Sequence, residues 1–201
     1  MDKDRRNKFN EAQGKAFDES VQSFLAPLPE DVIERMARIV AAPAISKGET
    51  VLDIGTGTGA LIPQIKSYNP GHIIGCDLSA KMLAQVQRRF PEVERHQCDI
   101  YDLQLPMQSV DVVFMNAMYG NIADKAGALS NVVRMLRPGG RVVISHPEGR
   151  GFVLRLVKQH PYPVTPLPTE QEALQFLGSF GLQVQQYIDE EKLLIVLAVK
   201  P

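Results

Sequence analysis

Val51-Leu52-Asp53-Ile54-Gly55-Thr56-Gly57-Thr58-Gly59 decides the fold of this chain. An apolar run rises to an acid and then drops into three glycines spaced two apart. Such a run suits a buried parallel strand, and alternating glycines allow a tight turn where a ligand can approach the backbone. A helix following the turn points its free amide groups at that ligand. The stretch reads as the nucleotide-binding turn of a doubly wound α/β domain.

Working outward, strand and helix signals alternate. Residues 5–25 carry Phe9, Ala12, Ala16, Phe17, Val21 and Phe24 at helical spacing, and Pro27 and Pro29 end that helix. A second helix is expected from Glu30 to Val40, with Val32, Ile33, Met36 and Ile39 facing inward. After the glycine turn come a helix over Ala60–Tyr68, a strand over His72–Asp77 and a helix capped by Ser79. A mostly polar strand is expected at Val93–Cys98 and an apolar one at Val110–Asn116. A helix follows over 125–136. Pro138-Gly139-Gly140 turns into a strand at Arg141–Ser145, and Thr169 with Glu172 has the spacing of a capping box before a helix to Phe180. Two apolar strands, Leu182–Tyr187 and Lys192–Lys200, close the chain.

Five β/α units predict a doubly wound, Rossmann-like parallel sheet with helices on both faces, a three-layer α/β/α sandwich that the closing pair of strands brings to seven strands. Only 188–191 separate the last two strands, which is hairpin length, so the final strand is expected to run antiparallel. A single domain over 1–201 is expected. Residues 1–44 form helices covering the ligand pocket, and 146–168, with five prolines, form a lid-like loop.

The 201 residues are 44% hydrophobic and 22% charged, an ordinary soluble composition. A net charge of −1 supplies no field to recruit nucleic acid or anionic membrane. No apolar stretch approaches a membrane span, so the expectations are a cytoplasmic protein with no nucleic-acid partner. Cys76 and Cys98 lack the spacing of a metal site and are expected to behave as small buried apolar residues in a reducing compartment; no metal is expected. The oligomeric state is left unassigned.

Gly55-Thr56-Gly57-Thr58-Gly59-Ala60 also satisfies the dinucleotide fingerprint, with Asp77 some twenty residues on where a ribose-binding acid belongs. Three features favour another nucleotide. Asp53, just before the first glycine, opposes a diphosphate and suits a ligand with a positive group. Asp99 adds an acid at the end of the third strand. The antiparallel closing hairpin is foreign to the plain dinucleotide arrangement.

With these motifs in place, the chain resembles the class I S-adenosylmethionine-dependent methyltransferases, specifically the methyltransferase type 11 members related to quinone-biosynthesis C-methyltransferases. Val51–Gly59 resembles that family's first motif, and 75–83 (Gly-Cys-Asp-Leu-Ser-Ala-Lys-Met-Leu) its second. Gln97–Ile100, Asp111–Asn116 and Leu136–Ile144 match the following sites. The resemblance implies S-adenosylmethionine as cofactor. Asp53 would meet its ammonium end, and Gly55, Thr56 and Gly57 would lie against its methionine and ribose portions. Asp77 would accept from both ribose hydroxyls, while Leu78 and Met82 pack on adenine. Asp99 would take the adenine amino group and the Ile100 amide a ring nitrogen, with Asn116 near the sulfonium.

The activity so implied is in-line methyl transfer to a small-molecule acceptor. Alternatives are an RNA or protein methyltransferase, a non-catalytic cofactor-binding protein, and an NAD-dependent oxidoreductase. The candidates for a base or an acceptor-orienting group are Tyr119 and His146, with His160 behind them. Arg134, Arg137, Arg141, Arg150, Arg155 and Lys158 form a solvated surface, or else hold an anionic acceptor.

Overall fold

The computed structural model describes residues 2–159 and 164–201; His160, a candidate above, lies outside the described residues. Seven strands form one sheet in the order β3-β2-β1-β4-β5-β7-β6. They are β1 (Thr50–Ile54), β2 (His72–Asp77), β3 (Glu94–Gln97), β4 (Val110–Asn116), β5 (Leu136–His146), β6 (Gln183–Glu190) and β7 (Leu193–Val199). The first five pair in parallel, and β7 lies antiparallel between β5 and β6, as the short closing connection requires.

Alternation along each strand builds two cores. Leu52, Val113 and Ile144 face α5 (Lys125–Met135), α6 (Gly149–Gln159) and α7 (Glu170–Gly178). Val51, Val112 and Val143 face α2 (Glu30–Ala41), α3 (Ile62–Lys66) and α4 (Ala80–Arg89). Side chains on a strand point alternately to opposite faces, so apolar strands buried on both sides produce this three-layer sandwich. The polar pattern of β3 now has a reason: it is an edge strand, as is β6 with its three glutamines.

Several elements depart from the sequence-based expectation. The 146–168 stretch is not a continuous loop, because α6 occupies Gly149–Gln159. Gly149 and Gly151 obscured that helix, yet Gly149 has φ +69° and makes the turn into it. The helix after the glycine turn is only five residues, Ile62–Lys66, with Pro63 in its first turn. The Pro138-Gly140 turn sits inside β5, between the Leu136 pairing with Val110 and the Arg141 pairing with Val112. On α2 Ile33 is outward, 43% exposed.

The largest correction concerns α1 (Lys3–Ser20), which a short 3-10 turn extends from Val21 to Phe24. Its buried residues are Arg6 and Gln13, not an apolar stripe, and Ala12 is exposed. This face meets polar loops at the sheet edge rather than a hydrocarbon core, so polar side chains with partners are what fit there. Among the described residues no helix is long and apolar enough to cross a membrane, and no cluster suits a metal ion.

Candidate functional site

A cavity of about 810 Å3 opens at the carboxyl ends of β1 to β4. The strand order reverses between β1 and β4 there, which is where open α/β sheets bind ligands. Four consecutive strand ends therefore deliver Asp53, Asp77, Asp99 and Asn116 to one space.

The turn after β1 needs its glycines for different reasons. Gly55, Gly57 and Gly59 all have positive φ, at +64°, +54° and +81°. A Cβ on Gly59 would lie 2.7 Å from Ile62 Cδ1 and 3.0 Å from the Phe90 ring, so that glycine serves close packing. A Cβ on Gly55 would strike the Met118 side chain at 2.8 Å. At Gly57 a Cβ would meet no protein atom nearer than 4.0 Å, and the residue lines the cavity. A side chain there would fill space a ligand can use.

Asp53 is 3% exposed and accepts from the Thr56 hydroxyl at 2.8 Å. Burial pushes its carboxyl up to about 7; the Thr56 bond opposes the rise and the charge of Asp77 adds to it. Asp77 accepts from the Gly57 amide on Oδ2 and the Ser79 amide on Oδ1, both at 2.9 Å. Burial raises this carboxyl too, against the backbone amides of Ser79, Gly57 and Leu78. Ser79 caps α4 by accepting from the Met82 amide, while Leu78 and the buried Met82 line the wall beyond Asp77.

Asp99 follows β3 and is held from two sides. Its Oδ1 accepts from the Tyr101 amide at 3.1 Å, and its Oδ2 from Asn10 Nδ2 at 2.6 Å. Arg6, 4% exposed, stands 3.8 Å from Asp99, donates to both oxygens of Asp102 and stacks 3.6 Å over the Tyr101 ring. Ile100 is buried beside the cavity. Asn116 ends β4, its Oδ1 accepting from Ser145 Oγ at 3.0 Å. Ala117 then adopts φ +56°, an uncommon conformation for a residue with a Cβ, and the turn brings Met118 against Gly55.

Helix α1 and its 3-10 extension cross this edge and are hydrogen-bonded to all four loops. Thr58 Oγ1 donates to the Phe24 carbonyl, and Asp18 accepts from Ser79 Oγ and the Lys81 amide. Asn10 reaches Asp99, and Gln13 donates to the Asn121 carbonyl at 2.9 Å. Phe17 and Phe24 line the cavity, their rings 6.0 Å apart, whereas Phe9 does not. Asn10 and Gln13 went unread in the sequence. Their signal was the stripe Arg6, Asn10, Gln13, Phe17, one face of a helix written mostly in polar residues.

The candidate bases are elsewhere. Tyr119 is buried in the core under α5, its hydroxyl pushed up to about 12 by burial and by Glu172. His146 is 7% exposed, accepts from the Glu148 amide on Nδ1, and is lowered to about 4 by burial. Neither lines the cavity. The basic residues are also committed: Arg137 to Asp111, Arg141 to Glu49, Arg150 to Asp189 and Arg134 to the Leu105 carbonyl. Arg155 stacks near Phe152.

Comparison with known proteins agrees with this geometry. Residues 52–144 match the family described as "Methyltransferase domain". The chain is 33% identical over 134 residues to a trans-aconitate 2-methyltransferase of Azoarcus, covering 64% of this chain and 52% of that protein. It is 34% identical over 123 residues to a demethylmenaquinone methyltransferase of Thermus thermophilus, covering 56% of each. The chain spans about half the length of these curated relatives. A solved SAM-dependent methyltransferase from Aquifex aeolicus superposes with a TM-score of 0.73 at 18% identity, over 91% of this chain and 98% of that one. That likeness establishes the fold.

Proposed function

We propose that the chain is a class I S-adenosylmethionine-dependent methyltransferase that transfers a methyl group from that cofactor to a small-molecule acceptor. The observation that carries the reading is the ring of three acids at consecutive strand ends around one cavity, with Gly57 leaving the space between them open.

The donor set fits the cofactor. Asp53 offers a carboxylate to an ammonium, and Asp77 offers two oxygens to a pair of hydroxyls. Asp99 offers an acceptor to an exocyclic amine. Leu78, Met82 and Ile100 supply apolar walls for a flat base. Gly55 and Thr56 carry the chain past the ligand, and Asn116 brings a carboxamide to the centre of the edge. Bound there, S-adenosylmethionine supplies a methyl group on a sulfonium, whose displacement leaves a neutral thioether.

The protein's contribution is then alignment and exclusion of water, which together account for several kcal/mol of a barrier. Helix α1 closes the edge, and the carboxylates fix the donor's orientation. No protein nucleophile is needed. The net charge of −1 offers no attraction to a polyanion, which favours a small acceptor over RNA.

Incubating the protein with methyl-labelled cofactor and cell extract tests the reading. Label in solvent-extractable small molecules is expected. Label retained in RNA or protein contradicts the small-acceptor assignment.

A further inference from the structure

The cavity is chemically divided. Its inner end carries the acids of β1 to β3. Its outer rim is built from the α1–α2 link and the start of α2, where Phe24, Leu25, Leu28 and Ile33 are 49%, 37%, 43% and 43% exposed. Eight large hydrophobic residues are this exposed among the described residues, and these four share the one rim. Scattered exposed hydrophobics need no explanation, but a cluster at a cavity mouth marks a binding surface. Pro63 and Met118 continue the same lining.

Beyond the strand-end acids and the two cysteines, Cys76 and Cys98, the described lining holds one titratable side chain, Arg89, which donates to the Thr58 carbonyl at 2.9 Å. Glu30 and Asp31 of the first turn of α2 stand outside the lining, and the rim residues that do line the cavity include no carboxylate and no lysine. At the inner end Asn116 has its Oδ1 committed to Ser145, so its amide hydrogens are the groups left to meet a ligand.

We propose that the acceptor is a mainly apolar small molecule, its hydrocarbon body held by Leu25, Leu28, Ile33, Pro63 and Met118. Its reacting end, bearing an oxygen that can accept a hydrogen bond, is turned toward Asn116. This rests on the methyltransferase reading and adds the chemistry of the acceptor. The rim is continuous with the cofactor cavity, which favours a ligand reaching inward over a surface partner lying across it. Burying each methylene is worth ~0.8 kcal/mol, about fourfold in affinity, so the body of such an acceptor supplies most of its binding.

The test is a binding series that needs no turnover. The full chain is saturated with S-adenosylhomocysteine and titrated with 4-alkylphenols from methyl to octyl. Affinity is expected to rise about fourfold per methylene until the rim is filled. Leu28→Asn and Ile33→Asn are expected to reduce that increment while leaving S-adenosylhomocysteine affinity unchanged. Both positions are more than a third exposed, so the fold tolerates the change. A flat series in protein that binds S-adenosylhomocysteine overturns the apolar acceptor and leaves the methyltransferase reading standing. An increment that both variants retain in full also overturns it. Binding to phosphatidylcholine vesicles with a flat series makes the rim a membrane contact and rejects the proposal. Failure to bind S-adenosylhomocysteine contradicts the proposed function itself, and this inference with it.

Discussion

The Gly57 amide donates to Asp77 Oδ2 at 2.9 Å, tying the glycine turn after β1 to the acid that ends β2. One carboxylate thereby fixes the turn and faces the cavity. Asp77→Asn keeps an acceptor for one backbone amide but loses the charge and one acceptor site. S-adenosylhomocysteine affinity is expected to fall by tenfold or more, since hydrogen bonds to a charged group contribute about 1.5–3 kcal/mol. Calorimetry checks this, and unchanged affinity removes the ribose assignment.

Gly57 and Gly59 separate binding from folding. Alanine at either position incurs about 1–2 kcal/mol for a positive φ. At Gly59 the new Cβ also collides with Ile62 and Phe90, whereas at Gly57 it enters the cavity. Gly59→Ala should therefore lower the melting temperature more, and Gly57→Ala should weaken cofactor binding more. Paired thermal melts and titrations read both, and the reverse ranking contradicts the division of roles.

Asp53 predicts a pH dependence. Its folded carboxyl is raised to about 7, so the folded chain holds a proton that the unfolded chain has lost above about pH 4. Its contribution to stability is fully present below that point and is lost as pH rises through 7. Cofactor binding runs the other way, because only the ionised form pairs with an ammonium. Affinity should rise up to about tenfold per pH unit approaching 7 and then level off, with proton release on binding below 7. Asp53→Asn should flatten that profile; a wild-type profile already flat from pH 5.5 to 8 rejects the assignment.

His146 offers the opposite sign. Its folded value of about 4 lies below the ordinary 6.5, so the neutral side chain contributes stability above pH 6.5 that is lost as pH falls toward 4. The loss is on the order of 3 kcal/mol at most. Outside the cavity, it should not shape the reaction. His146→Gln should blunt the acid sensitivity of unfolding and leave the pH profile of kcat unchanged, as should Tyr119→Phe for that profile. A shifted kcat profile in either variant restores that residue as a base.

Much of this was legible from residues. An apolar strand running into Asp53 and glycines, Asp77 and Asp99 at the following strand ends, and a last connection too short for a crossover helix pointed to the sheet, its antiparallel strand and the acids of the cavity. What was hidden has physical causes. Arg6 and Gln13 are buried and Asn10 half-buried against polar loops, so an apolar-stripe criterion passes over them. Glycines at 149 and 151 masked α6, whose helical state rests on packing Val153 into the core rather than on propensity. Met118 enters the cavity wall through the strained backbone of Ala117, which no residue pattern announces.

The central claim, that this cavity holds the methyl donor, is tested most directly by titrating the purified chain with S-adenosylmethionine, S-adenosylhomocysteine and NAD in a calorimeter. Single-site binding of both methionine-derived ligands, weakened in Asp77→Asn, with no heat from NAD, is the predicted result. Binding of NAD with no response to either of the other two contradicts it.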